Sequence, residues 1–240
     1  TQIGSLGEAQ KLYEKLLQAF PGRESVVLNF SSLLIQTERY GEALGVIDEY
    51  LRSKGSPTGR ILLNRGTSLH LLGEVGAALG VLQDALRLGA PAEMQLASCL
   101  LDNEQLTAAE EMVQAALKKS PGEGAWLNLA GRLYSLMGNF HLADASFKAG
   151  LLANPDDIDM VINYARFKHL SLSDHVGAKL LLTEALRKAP NNPSLLFNVA
   201  LLHDRNQDFH LAEQSYRALL ALQDHPEAHK NLGLILLSKL

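Results

Sequence analysis

Two columns of residues recur in step down the chain, and they constrain its fold more than any other feature. The first is a carboxamide, then any residue, then a small one: Asn29-Phe30-Ser31, Asn64-Arg65-Gly66, Gln95-Leu96-Ala97, Asn128-Leu129-Ala130, Asn163-Tyr164-Ala165, Asn198-Val199-Ala200 and Asn231-Leu232-Gly233, spaced 35, 31, 33, 35, 35 and 33 residues apart. The second is pure alanine: Ala9, Ala43, Ala78, Ala109, Ala143, Ala178 and Ala212, at intervals of 34, 35, 31, 34, 35 and 34. Each paired alanine follows its carboxamide by 14 or 15 residues. A period of this length marks an array of stacked supersecondary units, each unable to bury its apolar face without a neighbour.

Side-chain spacing says what each unit contains. Four residues after the alanines stand Tyr13, Ile47, Leu82, Val113, Phe147, Leu182 and Tyr216; three further on come Leu16, Tyr50, Ala85, Ala116, Gly150, Ala185 and Leu219. Steps of four and seven follow one face of an α-helix. The same period surrounds the carboxamides, as in Leu96 with Leu100 and Leu129 with Leu133. Each unit is therefore two amphipathic helices. Composition agrees, with 47% hydrophobic residues but only 6% aromatic, so the helix formers Leu and Ala carry the apolar content.

Turn residues punctuate the pattern. Pro21, Pro121, Pro155 and Pro190 each lie twelve residues past a column alanine. Gly73 and Gly138 fall between paired helices, where a positive φ suits glycine. Pro91, Pro193 and Pro226 stand where a first helix begins. Helices approach to about 8 Å only where the crossing side chains are small, so the spacing predicts Ala130 of one helix facing Ala143 of its partner, and likewise in every unit.

This arrangement is similar to the tetratricopeptide repeat, which pairs two helices in about 34 residues. The resemblance is clearest in Leu127, Ala130, Gly131, Tyr134, Gly138, Ala143, Phe147 and Pro155, a unit with one extra residue in its first helix by the carboxamide register. Gly55, Ala90 and Asp224 replace the terminal proline elsewhere, and the unit at 59–89 is short. The implied fold class is all-α, a right-handed solenoid of antiparallel helix pairs running the length of the chain. Residues 1–23 supply a second helix of a preceding unit. Units follow at 24–58, 59–89, 90–122, 123–157, 158–192 and 193–225, and 226–240 supply a first helix. That last helix carries Leu232, Leu234, Ile235, Leu236, Leu237 and Leu240. An apolar end implies either continuation of the chain or self-association through the open ends. The start, without an initiator Met or a basic-then-apolar leader, is also expected of a processed product or a piece of something longer.

The resemblance further implies that first helices line a concave surface. Asn29, Asn64, Gln95, Asn128, Asn163, Asn198 and Asn231 would then form a ladder along it, with Arg60, Arg166 and Arg205 nearby. A carboxamide donates and accepts at once, matching the backbone of an extended peptide. The style is closest to the superhelical repeats of protein O-linked N-acetylglucosamine transferase, where such a ladder contacts peptide, and Pro226-Glu227-Ala228-His229-Lys230-Asn231-Leu232-Gly233 reads much like those units. The competing reading makes each Asn a polar residue bonding a neighbouring unit.

Other classes of function find little support. The formal net charge is −4, without the clustered Lys and Arg that phosphates require, so no nucleic-acid partner is expected; pentatricopeptide arrays, which bind RNA with paired helices, are usually basic. No segment approaches the roughly 20 apolar residues of a membrane span. Lone Cys99 hints at a reducing, cytoplasmic setting. His225 and His229, four apart, read as surface histidines without a third ligand, and Asp156, Asp157 and Asp159 as a helix-capping run. No cofactor, metal or catalytic group is expected. The chain reads as a protein-interaction scaffold, or alternatively as the recognition module of a larger, glycosyltransferase-like enzyme whose catalytic domain lies outside it. Leu28, Leu63, Met94, Leu127, Ile162 and Phe197 precede the ladder residues where chaperone-binding relatives carry their carboxylate-gripping set. A chaperone C-terminal tail peptide should therefore show no tight binding by isothermal titration calorimetry; saturable binding would contradict this reading.

Overall fold

The computed structural model describes residues 2–20, 22–54 and 57–237. Pro21, Gly55 and Leu240, named above as punctuation and as the apolar end, lie outside the described residues, as does Thr1. The described residues form helices joined by turns, with no strand among them. In order these are α1 (Gln2–Ala19), α2 (Glu24–Gln36), α3 (Tyr40–Lys54), α4 (Gly59–Leu71), α5 (Val75–Arg87), α6 (Glu93–Asp102), α7 (Leu106–Lys119), α8 (Gly124–Leu136), α9 (Phe140–Ala153), α10 (Ile158–Ser171), α11 (His175–Lys188), α12 (Pro193–Arg205), α13 (Phe209–Leu222) and α14 (Pro226–Leu237). They pack into two compact units, Thr1–Met112 and Val113–Leu240, with the boundary inside α7.

Helix starts have local causes. Thr58, Asp157, Asp174 and Asn192 each accept a hydrogen bond from a backbone N–H of the following helix's first turn, at 3.4, 2.9, 2.8 and 3.0 Å. The acidic run is thus in part a capping device, through Asp157. Pro193 and Pro226 open α12 and α14, whereas Pro91 lies just ahead of α6, whose N-cap is Ala92.

The turn inside each hairpin contains one residue with positive φ. Glycine supplies it at Gly73 (φ 84°) and Gly138 (φ 74°), but Glu38, Glu104, Ser173 and Gln207 adopt φ of 53–63° at the equivalent places. The reverse turn that lets two helices lie antiparallel demands this conformation, and nearby contacts overcome the penalty on residues with a Cβ. Only the glycines were visible as turn signals. At the end of α10 the chain winds more widely: Leu172 N–H donates to Phe167 O and Asp174 N–H to Lys168 O.

Within the first unit α2 packs on α3, α4 on α5, and α2 lies beside α4; within the second, α8 packs on α9, α10 on α11, α12 on α13, and α10 lies between α8 and α12. The column alanines Ala43, Ala78, Ala109, Ala143, Ala178 and Ala212 have no exposed surface, and Ser31, Ala97, Ala130, Ala165 and Ala200 of the small-residue column are buried too. Two glycines of first helices mark close approaches inside the hairpins. A Cβ placed on Gly66 would meet the Leu82 side chain at 2.6 Å, and one on Gly131 would meet the Phe147 ring at 2.6 Å. The small residue of the first helix thus receives the large side chain four places past the column alanine. In the unit with the extra residue this receiver is Gly131, one position after Ala130.

Each large side chain anchors a local core. Phe147 lies among Leu127, Ala143, Met160, Tyr164 and Phe167, stacked on Tyr164 at 5.3 Å between ring centroids. Tyr216 occupies the corresponding place among Leu196, Ala200, Ala212 and Leu232. Burying such a side chain stabilises by about 1.5–3 kcal/mol, so each hairpin depends on the next for its apolar cover.

Gly131→Ala should lower stability by about 1–2 kcal/mol, because overpacking against the fixed Phe147 ring outweighs the roughly 1 kcal/mol gain in helix propensity. Gly150→Ala, whose added methyl would press on the pliable end of Met160, should cost less. Urea unfolding of both variants checks the order; equal midpoints would contradict the crossing geometry.

Candidate functional site on the first-helix face

The carboxamide residues share a helical position but not a common environment. Asn64 on α4 donates through Nδ2 to Ser31 Oγ at 2.8 Å, Ser32 Oγ at 3.0 Å and Leu28 O at 3.3 Å, all on α2. Asn163 on α10 donates to Asn128 Oδ1 on α8 at 3.1 Å and accepts from Arg166 at 3.4 Å. These amides tie neighbouring first helices together, and Ser135 with Ser171 adds a further bond between α8 and α10 at 3.2 Å.

The others differ. Asn198 is half-buried, donates to its own helix at Ser194 O at 2.8 Å, and lines a surface groove. Asn231 donates to the Tyr216 hydroxyl at 3.1 Å, an inward role. Gln95 Oε1 is shielded and accepts no hydrogen bond. Asn29 and Arg60 are exposed.

Three candidate residues come together. Arg166 of α10 with Asn198 and Arg205 of α12 line a groove of about 240 Å³ whose other walls are His169 and apolar residues, among them buried Ala165, Leu182 and Leu202. Burial first, then the charges of His175 and Arg205, hold His169 below the usual imidazole range. His225 stacks on Phe197 at 4.5 Å between centroids and accepts from Ala228 N–H through Nδ1, while His229 bonds Asp224 at 2.9 Å. Sequence spacing exposed the polar residues but not this juxtaposition, which needs two helices roughly 35 residues apart to lie side by side.

A larger groove, about 790 Å³, opens on the second-helix side between α9 and α11, lined by Leu151, Ile158, Leu180, Leu181, Ala185 and Ala189 among others. Lys188 and Asp156 form an ion pair across its rim at 2.7 Å. Nothing in the sequence pattern marked it, because an apolar residue on an outer helix reads the same as a core residue.

The remaining titratable groups serve the fold. Burial, with Asp102 nearby, pushes the Cys99 thiol up to about 11, a poor nucleophile. Burial opposes the charge of Asp144, yet hydrogen bonds from Lys148 and from the Tyr164 hydroxyl, the latter at 2.7 Å, hold its carboxyl below the ordinary range. His70 bonds Asp102 at 2.8 Å and joins α4 to α6. No cluster of three or more metal-ligating side chains occurs among the described residues, and no helix there is long and apolar enough to cross a membrane.

Family models described as tetratricopeptide repeat match residues 28–93 and 197–239, and a second such model matches 124–157. The chain belongs to the tetratricopeptide-repeat family. No curated protein matches it. Among solved structures, this tetratricopeptide-repeat chain is similar to a tetratricopeptide repeat protein from Parabacteroides merdae ATCC 43184, with a TM-score of 0.75 at 15% identity over 98% of this chain and 94% of that one. A thermophilic tetratricopeptide-repeat protein of Thermus thermophilus superposes with a TM-score of 0.67 at 18% identity, covering 75% of this chain and all of that one. A chain of an APC/C hetero-tetramer gives a TM-score of 0.67 at 17% identity over 97% of this chain but only 46% of its own length. These likenesses establish an all-α helical-repeat solenoid. The unmatched stretches of the tetratricopeptide-repeat array include most of the shortened α6 and the widely wound end of α10.

Asn64→Ala removes three donor contacts to α2 and should cost about 1–2 kcal/mol, whereas Asn29→Ala at an exposed position should stay within about 0.5 kcal/mol. Parallel thermal melts decide it; two equal, negligible shifts would show that the inter-helix bonds contribute nothing.

Proposed function

We propose that this tetratricopeptide-repeat chain is a non-catalytic interaction scaffold that holds an extended segment of a partner protein along its first-helix face. The supporting observation is the groove between α10 and α12, where Arg166, Asn198 and Arg205 converge over an apolar floor. Fixed polar groups over an apolar floor are what orient and hold a docked segment. The amide of Asn198 offers both hydrogen-bonding functions to a peptide unit, and the amides at Asn64 and Asn163 hold neighbouring first helices in place. In this reading the ladder divides its labour: some members hold the scaffold, others face the partner. The family as a whole works by binding proteins, which supports the same assignment.

Affinity capture followed by mass spectrometry would supply a partner, and two variants then locate its site. Asn128→Ala/Asn163→Ala/Asn198→Ala alters the first-helix face; Val176→Asp/Leu180→Asp alters α11, where these side chains are 72% and 66% exposed. The captured partner should bind the first variant about tenfold or more weakly, a loss of about 1.4 kcal/mol or more, and the second unchanged. The reverse pattern, with both variants folded by circular dichroism, would move binding to the second-helix groove.

A further inference from the structure

Each second helix turns its column alanine inward, so the positions opposite that alanine face outward. At about 100° per residue these lie two before, two after and nine after it. In α3, α5, α7 and α13 they hold glycine, alanine or polar residues, with Arg52, Arg87 and Lys118 at the last place. α9 and α11 break the rule. Leu152 stands nine past Ala143, and Val176 and Leu180 stand two to either side of Ala178; the three are 86%, 72% and 66% exposed. They border the groove of about 790 Å³ between these same helices: Leu180 lines it, and Leu152 and Val176 adjoin its lining residues Leu151 and Gly177. Gly177, Ala185 and Ala189 keep part of the α11 wall thin, which leaves Leu151, Ile158 and Leu181 half-covered. Protruding aliphatic side chains and an apolar hollow thus share one surface.

We propose that the α9–α11 face is a two-fold contact with a second copy of this chain, in which the outward aliphatic residues of each copy enter the other's groove. A two-fold interface must be complementary to itself, and a ridge beside a hollow meets that condition. A lone partner helix would fill the hollow and leave the protruding residues in water. The charges agree. Lys179 and Lys188 stand with Asp156 and Glu184 on this face, a mixture that suits its own antiparallel copy better than an anionic lipid surface, which favours clustered lysine and arginine. With α11 antiparallel to its counterpart, Lys179 of each copy comes opposite the partner's Glu184. The Glu184–Arg187 pair at 2.9 Å is exposed, so it gives way or is shared at little cost. Size sets the strength. Each helix has 14 residues, about 21 Å, and two side by side present roughly 20 by 20 Å. The pair therefore buries roughly 800–1,000 Å² in total, the size of a weak and reversible association. This contact uses the second helices and leaves the first-helix face open to a partner.

Sedimentation velocity over a concentration series tests it. The chain should pass from monomer to dimer with a dissociation constant on the order of tens of micromolar. Leu152→Lys/Leu180→Lys, with an unchanged circular-dichroism melt at low concentration, should stay monomeric up to about 500 μM, some tenfold above that constant. Lys179→Glu should weaken the dimer, and Lys179→Glu/Glu184→Lys should restore it, because a two-fold axis exchanges both pairs at once. Cysteine placement gives a second readout, since the native Cys99 is buried. Under mild oxidation Thr183→Cys on α11 should form a covalent dimer, and Arg52→Cys on α3 should not. A chain that remains monomeric across the series would overturn the proposal. So would a dimer that survives Leu152→Lys/Leu180→Lys, or one that cross-links no better through Thr183→Cys than through Arg52→Cys, either of which would place self-association elsewhere.

Discussion

The structure depends on one crossing, repeated: a small residue of a first helix receives a large apolar side chain from the second helix of its own hairpin. Gly66 under Leu82 and Gly131 under Phe147 show it most tightly. Around that point the column alanines from Ala43 to Ala212 disappear from solvent entirely. Close packing there draws the helix axes together, and the large side chain then reaches the next unit's first helix, as Phe147 reaches Tyr164 and Phe167. The contact within one hairpin thus also serves the contact between hairpins. This coupling is why a repeat array is stable as neighbours and not as isolated pieces.

Two consequences for the surface follow. Because the apolar crossings occupy the interior of each hairpin, the outward side of the first helices is left to polar residues, and these are set one beside another on neighbouring helices. Where facing polar groups match, as Asn64 matches Ser31 and Ser32, or Asn163 matches Asn128, they satisfy each other. Elsewhere on this face Arg166, Asn198 and Arg205 line a groove. The fold sets the spacing, and individual substitutions decide chemistry.

The turns make a similar point about what a residue type can report. Six hairpin turns adopt one left-handed residue each, and glycine provides only two of them. The alanines and the helical spacing around them are sufficient to bring the chain round, so Glu38, Glu104, Ser173 and Gln207 are carried into a conformation they would not choose locally. Propensity marks a turn when it agrees with packing; packing prevails when they differ.

Sequence alone determined the helical pairs, their antiparallel stacking and the burial of both small-residue columns from Ser31 to Ala212, because periods of four, seven and about thirty-four residues are one-dimensional consequences of helix geometry. It also singled out the carboxamides and the three arginines as polar exceptions. It could not decide that Gly131, the residue after Ala130, meets the Phe147 ring, since both are small and only the relative slide of two helices sets which side chain each one meets. Nor could it sort the carboxamides into those that bond a neighbour and those that face a groove, or show that Arg166 and Arg205 share one. Those outcomes depend on side chains from helices some thirty-five residues apart, and only three-dimensional packing sets the distance between them.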